Sequence, residues 1–68
     1  MTPTARHVGL TLKRLREAQG LSQVAVAAKA RLTREHLNRL EAGRYHPTLG
    51  TLNRLAKALG VPATDLLH

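Results

Sequence analysis

Apolar residues recur at three- and four-residue intervals in successive blocks of this chain, and Gly, Pro and hydroxyl side chains punctuate the gaps. The first block, residues 7–19, places Val8, Leu12 and Leu15 on one stripe, with Lys13, Arg14 and Glu17 off it. That is the period of an amphipathic helix, and Gly20 ends it as a C-terminal cap. Leu10 lies off the stripe and is expected to be exposed. Leu21 then turns inward, and a second helix opens at Gln23 behind Ser22, whose hydroxyl can cap its free amides. Thr33 can do the same for a third helix, residues 34–42, in which Leu37 and Leu40 fall on one side and Gly43 is the stop. After a loop containing Pro47, Thr48 caps a fourth helix over residues 49–59. Its expected buried stripe is Leu49, Leu52, Ala56 and Leu59, with Leu55 beside it, and Gly60 closes it. Val61 and Pro62 form a short link, and residues 63–67 are expected to add a final turn or two. Residues 1–6 contain Pro3 and no periodicity, which reads as a loose arm. Five helices, short connections and no strand signal predict an all-α fold for residues 1–68, taken as one domain.

At 68 residues the core is near the minimum that holds a fold alone. There are no cysteines, so neither a disulfide framework nor a thiolate metal site supports it. His7, His36, His46 and His68 have no second ligand at helical spacing, and no carboxylate cluster accompanies them, so no metal and no cofactor are expected. The hydroxyls stand where caps belong rather than beside a base, which gives no reason to expect an enzyme. No apolar run is long enough to span a bilayer, and the first residues lack the apolar core of a signal peptide, so a soluble, cytoplasmic protein is expected.

Charge narrows the partner. Eleven Lys and Arg against four Asp and Glu give a formal charge of +7, an excess that favours a polyanion. A membrane-surface helix needs aromatic and bulky apolar residues opposite its cations, and single-stranded nucleic acid is commonly bound by aromatic stacking. Tyr45 is the only aromatic residue in the chain. Duplex DNA is the polyanion left. In the third helix Arg34, Glu35, Asn38 and Arg39 fall within about 140° of one another, opposite the leucines. Those side-chain types match base edges: Arg to guanine, Asn to adenine, Glu to the amino group of cytosine. The same stripe also fits an ordinary solvated helix face.

From Gln23 to Leu40 the chain resembles, position by position, the helix-turn-helix of the Cro/C1 (XRE) family. Gln23 opens the first helix of the pair, Val26 and Ala27 follow, Leu32 ends the turn, and Leu37 and Leu40 anchor the second helix. Thr33, Glu41 and Gly43 fit as well. Ala27 is small where a bulky side chain would push the two helices apart. Beyond that unit the match extends over residues 9–67, through Leu15-Arg16, Gly20 to Gln23, Pro47, Leu52, Leu55-Ala56, Leu59 to Val61 and Leu66-Leu67. One position departs: Arg31 stands where the family commonly has Gly, and the resemblance implies a positive φ there.

The resemblance implies a five-helix, lambda-repressor-like DNA-binding domain. It assigns Arg16 and Glu41 to a structural ion pair, and Gln23 with its backbone amide to a phosphate. Arg44, with Tyr45 and the loop amides of residues 43–46, falls to a second phosphate. Base reading falls to Thr33, Arg34, Glu35, Asn38 and Arg39. A domain this small makes few contacts alone, so a homodimer is expected, with Val61, Leu66 and Leu67 as the interface candidates. The function implied is a sequence-specific transcriptional regulator of double-stranded DNA, expected to be a repressor. The alternative is an antitoxin-like module whose essential partner is a toxin protein; a domain of a larger regulator is a third reading.

Overall fold

Every α-helix of this protein begins at a hydroxyl. In the computed structural model, which describes residues 3–67, Thr4, Ser22, Thr33 and Thr48 have extended backbones. Each accepts a hydrogen bond from the amide three residues ahead, at 3.0–3.1 Å. The helices they start are α1 (Ala5–Ala18), α2 (Gln23–Ala30), α3 (Arg34–Glu41) and α4 (Leu49–Leu59). Such a bond satisfies one of the orphan donors that every helix start carries, an effect of about 1 kcal/mol apiece.

Two sequence expectations change here. Among the described residues there are four α-helices rather than five, because Ala63–Leu66 forms a single 3-10 turn. α1 also starts earlier than its apolar stripe suggested: Thr4 caps it, so Ala5 and Arg6 form its first turn rather than part of a loose arm. Met1, Thr2 and His68 lie outside the described residues.

Packing follows the amphipathic stripes. α1 lies on α3, α2 on α4, α2 against α3, and the 3-10 turn closes over α4 and α1. Val8, Leu12, Val26, Leu37, Leu40, Leu52, Leu55 and Leu59 meet in one cluster with the small residues Ala27, Ala30 and Ala56. Leu55, expected beside the stripe of α4, is fully buried, while Leu49, expected on it, is 72% exposed. The reason is position: Leu49 is the first helical residue, at the very end of the stripe. Leu66 is fully buried and completes this core, which removes it as an interface candidate; Val61 is half-buried against the core, and Leu67 is 43% exposed.

Two backbone features set the spacing. Gly9 on α1 lies directly against the last turn of α3: a Cβ there would run into the Leu40 carbonyl oxygen and come within 2.9 Å of that of Glu41. Only a residue without a side chain lets the two helices approach so closely. At the end of α2, Arg31 has φ 58°, ψ 42°, the left-handed conformation the resemblance implied. Its amide and that of Leu32 return to the Ala28 and Ala27 carbonyls, so the helix closes in the manner usual for glycine.

Gly9→Ala is expected to destabilise the fold by about 1–3 kcal/mol, because rigid backbone faces the added methyl; chemical denaturation measures it, and an unchanged midpoint would mean the helices separate freely. Arg31→Gly is expected to act in the opposite direction. It relieves a strain of about 1 kcal/mol, partly offset by glycine's greater freedom when unfolded, and should raise the melting temperature by a few degrees.

Candidate nucleic-acid interface

α3 is divided lengthwise. Leu37 and Leu40 are 0% and 1% exposed and face the core, while Arg34, Glu35, Asn38 and Arg39 are all exposed. With Arg44 from the following loop, those four side chains line an open cleft of about 420 Å³. Thr33, whose hydroxyl caps the His36 amide, is exposed at the leading end of the same helix. The loop after α3 is held close: the Tyr45 ring meets His36 edge to face, with centroids 5.3 Å apart, and Tyr45 also packs on the core. Arg44 itself is exposed, and its amide donates to the Arg39 carbonyl across Gly43, whose φ is +75°.

Behind α3 a polar network fixes its rotation. Arg16 Nε donates to Glu41 Oε2 at 2.7 Å and its Nη2 to Oε1 at 3.0 Å, a two-pronged contact that joins α1 to the end of α3. Its Nη1 donates to the Leu21 carbonyl at 2.8 Å, so each guanidinium nitrogen has a partner. The two side chains are only 11% and 4% exposed, which separates this contact from an ordinary surface pair. The hydrogen bonds to Glu41 raise the Arg16 pKa above its ordinary value, while burial pulls it down. The guanidinium is charged at any working pH.

The network continues outward. Gln23 Nε2 donates to Glu41 Oε1 at 3.0 Å, and Gln23 Oε1 accepts from Asn38 Nδ2 at 3.4 Å. The carboxamide that the sequence assigned to a phosphate is thus engaged inside the domain, linking the buried pair to a side chain of the exposed face. What Gln23 still offers outward is its backbone amide. The first amides of a helix have no partner within it, and they carry the positive end of its dipole. Beside them is a residue the sequence analysis did not single out: Lys13 of α1 lines a smaller cleft of about 140 Å³ with Gln23, Asn38, Glu41 and Ala42. Its signal was present in the sequence, since Lys13 and Arg16 stand three apart and share a helix face.

A second group of cations gathers elsewhere. Lys29, Arg31, Arg54 and Lys57 line a cleft of about 400 Å³ between the end of α2 and α4. Among the described residues, no group of three or more His, Asp or Glu is arranged to hold a metal ion, and no helix is long and apolar enough to cross a membrane.

The architecture is that of known regulators. A family model described as helix-turn-helix (HTH_3) matches residues 12–66. The chain belongs to the Cro/C1-type helix-turn-helix family, whose members are DNA-binding transcriptional regulators and not enzymes. It is 43% identical over 60 residues to the uncharacterized HTH-type transcriptional regulator y4dJ of Sinorhizobium fredii, an alignment covering 88% of this chain and 78% of that protein. To the immunity repressor protein of Bacillus phage phi105 it is 40% identical over 60 residues, 88% of this chain but only 42% of the repressor. Among solved structures, the restriction-modification controller protein C.AhdI from Aeromonas hydrophila superposes with a TM-score of 0.90 at 32% identity. That superposition covers 93% of this chain and 96% of the controller.

Glu41→Ala leaves Arg16 buried without its anion and Gln23 without its acceptor. It should lower stability by about 3 kcal/mol, the range for breaking one partner out of a buried pair. Thermal unfolding checks this, and an unchanged melting temperature would show that the pair does not brace α3.

Proposed function

We propose that this protein is a sequence-specific regulator of transcription that binds double-stranded DNA as a homodimer and represses. Each subunit lays α3 in the major groove, with the two half-sites about one helical turn, roughly 34 Å, apart. The observation that carries this reading is the division of α3, which exposes Arg34, Glu35, Asn38 and Arg39 along one cleft while Leu37 and Leu40 are sealed into the core. A helix merely solvated on one side needs no ion pair behind it to fix its rotation; one that reads base edges does.

In this reading Arg34 and Arg39 address guanine, Asn38 adenine, and Glu35 the cytosine amino group, with Thr33 near a thymine methyl or a phosphate. The Gln23 amide at the start of α2 and Arg44 with the Tyr45 loop hold phosphates on either side and carry no sequence information. Lys13 adds a cation to the first of these. The dimer interface draws on Leu67 and the exposed part of Val61. Repression is supported by the likeness to a phage immunity repressor. A cytoplasmic location belongs to the same reading, since the operator is there. The antitoxin-like alternative, with a toxin as partner, has no observation in its favour.

Selection of bound sequences from a random duplex pool at near-physiological salt tests the proposal, and an enriched, two-fold related motif is the expected result. Against that motif Arg39→Ala should cost about 1–3 kcal/mol of affinity and relax the preference at one base pair. Equal loss on every sequence would remove Arg39 from base reading, and a pool that enriches nothing would overturn the function.

A further inference from the structure

The cleft between α2 and α4 gathers cations, and their charge is uncompensated. Lys29, Arg31, Arg54 and Lys57 line it with Ala58, and no Asp or Glu is among the lining residues. Like charges brought together cost free energy unless something is gained. Part of the gain is structural: Arg54 Nε donates to the Ala30 carbonyl at 3.0 Å and Nη2 reaches Thr51 Oγ1 at 3.4 Å, so one cation closes the negative end of α2. That accounts for Arg54 and leaves three. Arg31 is the more telling of them, because it is the one non-glycine residue at positive φ among the described residues. At a position whose backbone favours glycine, the chain carries a cation, and that cation faces this cleft.

The cleft's place in the fold bears on what it would bind. Arg31 is two residues before Thr33, the cap of α3, and three before Arg34, which lines the cleft on the reading face. Three residues of chain reach at most about 10 Å. A DNA strand carries a phosphate for roughly every 3.4 Å of helix axis, so the backbone of a duplex whose bases meet Arg34 passes near this end of α2. Lys29, Arg54 and Lys57 line the same cleft as Arg31, and none of them lines the cleft of the base-reading residues.

We infer that this cleft holds the phosphate backbone of the same duplex outside the base pairs read by α3, so that each protomer grips flanking DNA whose sequence it does not read. The inference rests on the duplex-binding reading and extends the contacted length of DNA beyond it. An acidic protein surface is the competing occupant; it lacks the proximity to Arg34 that a bound duplex supplies automatically.

The test uses duplexes that share one selected central site and differ only in flank length, at stated salt. The wild-type protein should bind more tightly as the flanks lengthen, then reach a plateau. The Lys29→Ala/Lys57→Ala variant should lose that gain, about tenfold per protomer at physiological salt for two phosphate contacts each, and should lower the salt slope by about 1.8 per protomer. Its base preferences and its affinity for the shortest duplex should be unchanged. Arg31→Gly should lose part of the same gain while melting higher than wild type, which separates lost contact from lost folding. Flank-independent affinity in the wild type, or equal weakening of the variant on short and long duplexes, would overturn the inference. So would capture of an acidic polyglutamate peptide that the variant loses while its duplex binding stays intact. Failure of the duplex-binding reading looks different: no central site would emerge from the selection at all.

Discussion

The contact between Arg16 and Glu41 is the constraint on which the arrangement of this domain depends. It ties the last turn of α1 to the last turn of α3 across 25 residues of sequence. A charge pair hidden from solvent is tolerated only when its remaining donors and acceptors are also met. Here the Leu21 carbonyl takes the spare guanidinium nitrogen and Gln23 takes the spare carboxylate lone pair. Among the described residues no buried side-chain polar atom is left without a partner. Sliding or rotating α3 would break several of these bonds at once, so the helix has one position rather than a range of them.

That matters because α3 cannot stand by itself. Eight residues are too few to be stably helical in water, and most of the stability of such a helix must come from what it packs on. Two leucines, the close approach at Gly9, the polar network and the Tyr45 loop supply it. Nearly all that braces the helix comes from one side, and on the opposite face only Asn38 is tied back, through Gln23. The division between support and reading surface is therefore a consequence of packing in a domain this small.

Much of this was legible in the sequence because it is local. Ser22, Thr33 and Thr48 announce the starts of α2, α3 and α4, and the leucine spacing tells which face of α3 is hidden. Where locality failed, the expectation failed. The start of α1 is marked by Thr4 alone, since Ala5 and Arg6 carry no apolar stripe to reveal the helix. Leu49 has the right period for burial and the wrong place, one residue inside a helix end that nothing covers. Leu66 sits in a turn too short to show any period. The inward turn of the Gln23 carboxamide and the meeting of Lys29 and Arg31 with Arg54 and Lys57 depend on which helices pack together. No spacing along the chain encodes that pairing, although the charge excess foretold that cations would have to gather somewhere.

The crowded glycine after α3 has a practical bearing. A Cβ at Gly43 would sit 2.7 Å from the Cα of Arg6, so the opening turn of α1 presses on the loop that carries Arg44. A side chain introduced at Gly43 would therefore have to push the loop off α1, and would carry with it one of the cations assigned to the duplex.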